Sequence, residues 1–152
     1  MSDLKDRLRS DLTAAIKARD EVRSSTIRMV LTSVTNAEVA GRSSRELSDD
    51  DVIEVLSSEA KKRREAAEAF ENAGRVEMAA KERAEAGVLA DYLPTPLTDQ
   101  EIADLVTSAI AQTGARDEGM RAMGKVMGAL SSQVKGRAEG GVVAAEVRRQ
   151  LG

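Results

Sequence analysis

The side chains with chemistry to offer lie between Met123 and Gly141, where Lys125, Lys135 and Arg137 are interleaved with Gly124, Gly128, Gly136, Gly140 and Gly141. Cations set among glycines suit phosphate, because bare backbone lets an anion approach peptide N–H groups while the side chains balance its charge. Lys135-Gly136-Arg137, followed by Gly140 and Gly141, is a cationic turn that feeds the next helix, and a helix N-terminus favours anions. A purely solvated turn would have the same composition. The turn lacks the Gly-Lys-Ser/Thr ending of a Walker loop, so it is not a magnesium-nucleotide site. Arg148 and Arg149 extend the cationic set towards the end of the chain.

Composition removes most other chemistry. The chain of 152 residues has no cysteine, histidine or tryptophan, one tyrosine (Tyr92) and one phenylalanine (Phe70). Thiol catalysis, disulfides and zinc sites are therefore excluded. A metal would need oxygen ligands, and no carboxylate loop of the calcium kind is present. Catalysis would fall to carboxylates, Lys, Ser or Thr, none with a recognisable activating partner. We expect no catalytic residue, no cofactor and no metal. Aromatic platforms for stacking unpaired bases are almost absent. No signal-peptide core and no run of about 18 apolar residues occurs, which predicts a cytoplasmic protein without a membrane segment.

Charge is uneven. The whole chain is −3, yet from Met120 onward six Lys or Arg face two acids, giving +4 against −7 for the preceding 119 residues. An overall acidic balance argues against indiscriminate nucleic-acid binding, and a local basic patch permits a specific one.

The elements that must position these groups read as helices throughout. A first stripe runs Leu4, Leu8, Leu12, Ile16 behind a Ser2 or Asp3 cap. A second, from near Asp20, turns Val22, Ile27, Val30, Leu31 and Val34 inward and ends before Gly41. Ser48 with Asp51 forms a capping-box start for a long third helix carrying Val52, Ile53, Leu56, Ala60, Ala67 and Phe70, stopped at Gly74. Its Lys61-Lys62-Arg63-Arg64 run reads as a solvated face, since Glu59, Glu65 and Glu68 stand four residues from Arg63, Lys61 and Arg64. A fourth, alanine-rich helix spans about 75–90 through Met78, Ala79, Ala86 and Leu89, with Leu93 beyond it. Pro94 and Pro96 then break the pattern. Thr98 and Glu101 cap a fifth helix with Ile102, Leu105, Val106, Ala109 and Ile110 inward, ended by Gly114. The sixth places Met120, Met123, Met127, Leu130 and Val134 on one face, with Gly124 and Gly128 at its edge. Two glycines four apart in a helix cost about 1 kcal/mol each relative to alanine. Their use is either close packing of another helix or close approach of a nucleic-acid or protein surface. A seventh helix packs Val143, Val147 and Leu151 and turns Arg148 and Arg149 outward.

The expected fold is all-α: an N-terminal four-helix domain over 1–93, a proline linker at 94–97 and a three-helix C-terminal domain over 98–152.

The combined pattern resembles the GatB/YqeY family, which includes small standalone bacterial proteins and the C-terminal tail of the B subunit of the Asp/Glu-tRNA amidotransferase. The residues that carry the resemblance are Ile27-Arg-Met-Val-Leu31 with Asn36-Ala-Glu38, Glu59-Ala-Lys-Lys-Arg-Arg-Glu65 with Glu68-Ala-Phe70 and Gly74-Arg75, and Tyr92-Leu-Pro94 with Leu97. Met123-Gly-Lys-Val-Met-Gly128 and Val134-Lys-Gly-Arg-Ala138 complete it. The standalone, YqeY-like branch matches over essentially the full chain, and the tail motif covers only the last third, at Gly124, Met127, Lys135, Gly136 and Ala138. Gly140-Gly141 departs from the polar residue or proline often found there.

The resemblance implies a tRNA-associated, non-catalytic module, because the family's tail domain helps hold tRNA while amide transfer occurs in a cradle domain that has no counterpart here. Lys125, Lys135, Arg137, Arg148 and Arg149 would then contact phosphate, with Gly136 permitting close approach. The alternatives are an accessory module docking on an amidotransferase or synthetase through the Gly124/Gly128 face, or a glutamine-dependent carbon–nitrogen ligase, which homology alone suggests.

Overall fold

In the structure, a computed structural model that describes residues 2–152, every regular element among the described residues is helical. Seven α-helices follow one another: α1 Asp3–Lys17, α2 Glu21–Val39, α3 Asp49–Asn72, α4 Val76–Ala90, α5 Asp99–Thr113, α6 Met123–Val134 and α7 Gly140–Leu151. Two short 3-10 turns, Ala115–Asp117 and Gly119–Ala122, lie between α5 and α6.

Local sequence sets most boundaries. The Ser2 hydroxyl accepts the Lys5 N–H at 3.1 Å and Asp20 accepts that of Arg23 at 3.0 Å, each meeting a donor that the first helical turn leaves orphaned. Ser48/Asp51 and Thr98/Glu101 close full capping boxes. Gly74 at φ +77 and Gly114 at φ +66 end α3 and α5 in the left-handed region that glycine enters without steric cost.

The chain forms two compact units, one running to Leu93 and one from Pro94 to Gly152. In the first, Leu8, Ile27, Val30, Val34, Leu47, Val52, Leu56, Ala60, Val88, Leu89 and Tyr92 make the core. In the second, Ile102, Val106, Ala109, Ile110, Ala115, Ala122, Val126, Leu130, Val134, Val143 and Val147 do so.

Four residues expected inside lie outside: Ile16 (51% exposed), Val22 (40%), Met78 (44%) and Met120 (49%). The reason is angular. Steps of four residues overshoot a 3.6-residue turn by about 40° each, so a Leu4-to-Ile16 stripe has swung about 120° off its face by the end. Ala15 is buried in its place. Val22, in the first turn of α2, lies about 140° round the helix from the buried Ile27, and Met78 about 100° from the buried Ala79 that was expected beside it. Met120 lies in a 3-10 turn, whose threefold period points Ala122 inward instead.

A second correction concerns the basic run of α3. Lys61 and Lys62 are exposed and paired with Glu65 (4.0 Å) and Glu59 (3.4 Å), as a solvated face requires. Arg63 is not part of that face. Its guanidinium turns towards α4, 3.4 Å from Glu59, 3.7 Å from Glu82 and 3.2 Å from Glu85, and touches Met29 on α2.

Candidate nucleic-acid interface

The outer face of α6 is built from a four-three spacing. Arg121, Lys125, Gly128, Ser132 and Lys135 succeed one another at steps of 4, 3, 4 and 3 residues, with Gly124 and Ser131 on the flank of the same row. That spacing keeps a row on one side of a helix. All seven residues are exposed, whereas Val126, Leu130 and Val134 occupy the opposite, buried side. The helix itself contains no acidic residue. At about 1.5 Å per residue, the part of the row on α6 itself, from Lys125 to Ser132, extends roughly 10 Å, with Arg121 and Lys135 beyond its two ends.

Gly124 and Gly128 decide between the two uses considered for them. A Cβ built at either position meets nothing within 4 Å. Close packing of a helix of their own unit is therefore not their use. They present bare helix backbone outward, at the helix-propensity cost of glycine.

The expected phosphate-binding residues are not equally available. Lys125 Nζ sits 3.4 Å from Glu118, with both side chains about half exposed (51% and 48%), so solvent screens the pair and it exchanges easily. Arg149 is bound more firmly: its Nε and terminal nitrogen donate to Glu146 at 2.9 and 2.6 Å. The Arg149 bonds and a further one from Gln150 hold the Glu146 carboxyl down at about 2. Gln150 also donates to the Ala103 carbonyl at 3.0 Å, which ties this corner of α7 to α5. Arg148, one residue earlier, is exposed and makes no ion pair among the described residues.

Around the α6–α7 turn, Gly136 adopts φ +74, a conformation that side chains rarely take. Arg137 donates from Nε to the Thr95 carbonyl at 3.0 Å, and its own carbonyl accepts the Leu97 N–H at 2.8 Å. It fastens the proline segment to the turn. The N-cap of α7 is Glu139, so the turn carries its own carboxylate beside the helix end where a phosphate would sit. Lys135 is exposed at the C-cap of α6.

The chain reverses through residues 135–139, and α7 packs against both α6 and the Gly119–Ala122 turn that precedes it. Each helix is about 18 Å long. Lys135, Gly136 and Arg137 thus stand at one end of this hairpin, and Lys125, Arg148 and Arg149 at the other. The row along α6 joins the two ends. Arg121, Ser131 and Ser132 were not among the expected contacts; the four-three spacing of the polar side would have found them, because it is as regular as that of the buried side.

Among the described residues, no group of three or more acidic side chains is placed to hold a metal, and no helix is long and apolar enough to cross a membrane. A cleft of about 330 Å³ lies between α2 and α3, lined by Ser33, Ala37, Leu47, Val55 and Glu59 among others.

Comparison with known sequences agrees with the helical pattern: residues 5–151 match the family described as YqeY-like protein. The chain belongs to the YqeY-like family. A fungal relative from Pyrenophora tritici-repentis (strain Pt-1C-BFP), named altered inheritance of mitochondria protein 41, mitochondrial, is 32% identical over 136 residues, covering 87% of this chain and 71% of the relative. A Schizosaccharomyces pombe (strain 972) protein is 34% identical over 88 residues, covering 57% of this chain and 69% of its own length. Similarity to this chain thus extends to fungal proteins.

Proposed function

We propose that this YqeY-like protein is a non-catalytic, tRNA-associated module that holds RNA backbone on the outer face of α6. The observation that carries the reading is the exposed row Lys125, Gly128 and Ser132 on α6, a helix that has no carboxylate, continued by Arg121 in the turn before it and Lys135 at its C-cap. Cations spaced along a row neutralise successive phosphates, and the missing side chains at Gly124 and Gly128 let sugars approach the helix. Arg148 extends the charge at one end. Arg149 and Arg137 take secondary places, since Glu146 and the Thr95 carbonyl hold their guanidinium groups at 3.0 Å or less.

The test is titration of bulk tRNA against the intact chain at several salt concentrations. Binding should weaken as salt rises, with a slope near −0.9 per phosphate neutralised on a duplex. Replacing Arg121 and Lys125 by Glu should weaken binding and flatten the slope by about two. Binding no stronger than that of a neutral control protein at low salt defeats the reading.

A second reading is favoured by one fact: from Pro94 onward, Lys and Arg number seven and Asp and Glu also seven, so this unit has no net charge. An accessory module docking on an amidotransferase or synthetase through the Gly124/Gly128 face needs no excess charge. It predicts co-purification that survives nuclease and high salt. The fungal relative's name places that protein in mitochondria. Either reading requires a compartment that holds tRNA, which the cytoplasm and the mitochondrial matrix both do.

A further inference from the structure

We infer that the α6 face lies across the minor groove of base-paired RNA and does not grip unpaired strands. The inference rests on the RNA-binding reading above and names the form of RNA it selects.

Unpaired strands are held by stacking bases on aromatic or guanidinium planes along a basic groove. The unit from Pro94 to Gly152 has no aromatic residue, and of the five residues of the row one, Arg121 at its end, carries a guanidinium, so no succession of stacking planes runs along it. Both aromatics of the chain belong to the other unit, where Tyr92 is 5% exposed and gives its hydroxyl to Asp11 at 2.6 Å. Between the cations of the row there is also no amide or carboxylate to read a base edge. Gln133 lies off it, and its amide nitrogen is directed back to the Ala129 carbonyl at 3.4 Å.

What the row does contain suits a duplex. The A-form minor groove is wide and shallow and displays 2′-hydroxyls, with a phosphate line on either side. Glycines at 124 and 128 bring the helix backbone to the groove floor, since nothing of the chain stands within 4 Å of where their Cβ atoms would be. The exposed Ser131 and Ser132 follow one turn later. Ser131 donates its own hydroxyl proton to the Gly128 carbonyl at 3.1 Å, which leaves its oxygen to accept from a ribose 2′-hydroxyl. Arg121 and Lys125 at one end, and Lys135 at the other, then stand where the flanking phosphates pass.

The experiment compares three labelled probes on the intact chain at low salt: a blunt RNA duplex, one of its strands alone, and a DNA duplex of the same sequence. The RNA duplex should bind about tenfold tighter than either other probe, the equivalent of one or two hydrogen bonds. Gly128→Leu should remove that preference without lowering the melting temperature, because the added side chain obstructs the groove from an exposed position whose Cβ site is open. Equal or tighter binding of the single strand overturns the inference and leaves RNA binding standing. Equal binding of the DNA duplex overturns the role of the 2′-hydroxyls. Binding of no probe overturns the RNA-binding reading itself. Gly128→Leu that keeps the duplex preference removes the groove contact from the account.

Discussion

At the scale of single residues, the outward glycines of α6 make the sharpest case. An exposed helical glycine at which an added Cβ would meet nothing is not required by packing within its own unit. Gly124→Ala and Gly128→Ala should each stabilise the chain, by up to about 1 kcal/mol, through better helix propensity and a less disordered unfolded state. Urea melts would show it, and a loss of stability in either variant would mean that the space beside the helix is not open. Arg137 is the opposite case, a cation whose partner is a backbone carbonyl. Arg137→Ala should cost about 1 kcal/mol by removing that bond, and Arg137→Lys should restore little of it because the planar Nε donor is gone. Hydrogen exchange at Leu97, whose N–H meets the Arg137 carbonyl, is the local readout. That some cations were already engaged could not be seen in the sequence for a physical reason: Thr95 lies 42 residues before Arg137. Short-range pairs such as Glu146 with Arg149 were within reach of i,i+3 spacing and could have been anticipated.

Among the elements, helix type and most ends were legible because caps are local: the Ser48–Asp51 and Thr98–Glu101 boxes each need only four residues. Which residues fill a helix face was less legible, since stripes counted in fours rotate off the core, as Ile16 shows. Least legible was the α3–α4 contact. A four-residue basic run looks uniformly solvated in one dimension, yet Arg63 alone turns inward and meets Glu59, Glu82 and Glu85. Burial, and then the neighbouring Glu82, raise the Glu85 carboxyl above its ordinary range. Removing the guanidinium should leave three carboxylates facing one another, so Arg63→Met should cost about 2 kcal/mol, less than breaking a fully buried ion pair because the Arg63, Glu82 and Glu85 side chains are 16–21% exposed. Adding Glu85→Gln should recover part of that loss, because the two groups share one network. Chemical denaturation of both single variants and the double variant closes the cycle. Additive costs would mean that Arg63 and Glu85 do not act on each other.

For the whole molecule, each unit has its own core, and each carries carboxylates held below their ordinary range by hydrogen bonds at helix caps and turns. In the first unit Lys5 lowers Glu38, Ser2 lowers Asp49 and the Ser48 N–H lowers Asp51; in the second the Thr98 N–H lowers Glu101 and Arg149 lowers Glu146. A carboxylate with a depressed folded-state value stabilises the chain above its unfolded value, about 4, and that contribution is lost as pH falls through the folded value. Glu85 runs the other way: its raised value makes its contribution less favourable as pH climbs past about 4.3. Five lowered groups against one raised group leave acid as the destabilising direction. The melting temperature should therefore be level from about pH 6 to 8 and fall below about pH 5, continuing to fall towards pH 2, near the value of the Glu146 carboxyl. Tyr92, the single tyrosine, reports the first unit by fluorescence, while helical circular dichroism reports both. Both signals should move to lower temperature together with acid, since both units depend on lowered carboxylates. A melting temperature unchanged between pH 7 and pH 3 would show that these bonds are no stronger in the folded chain than those the carboxylates make with water.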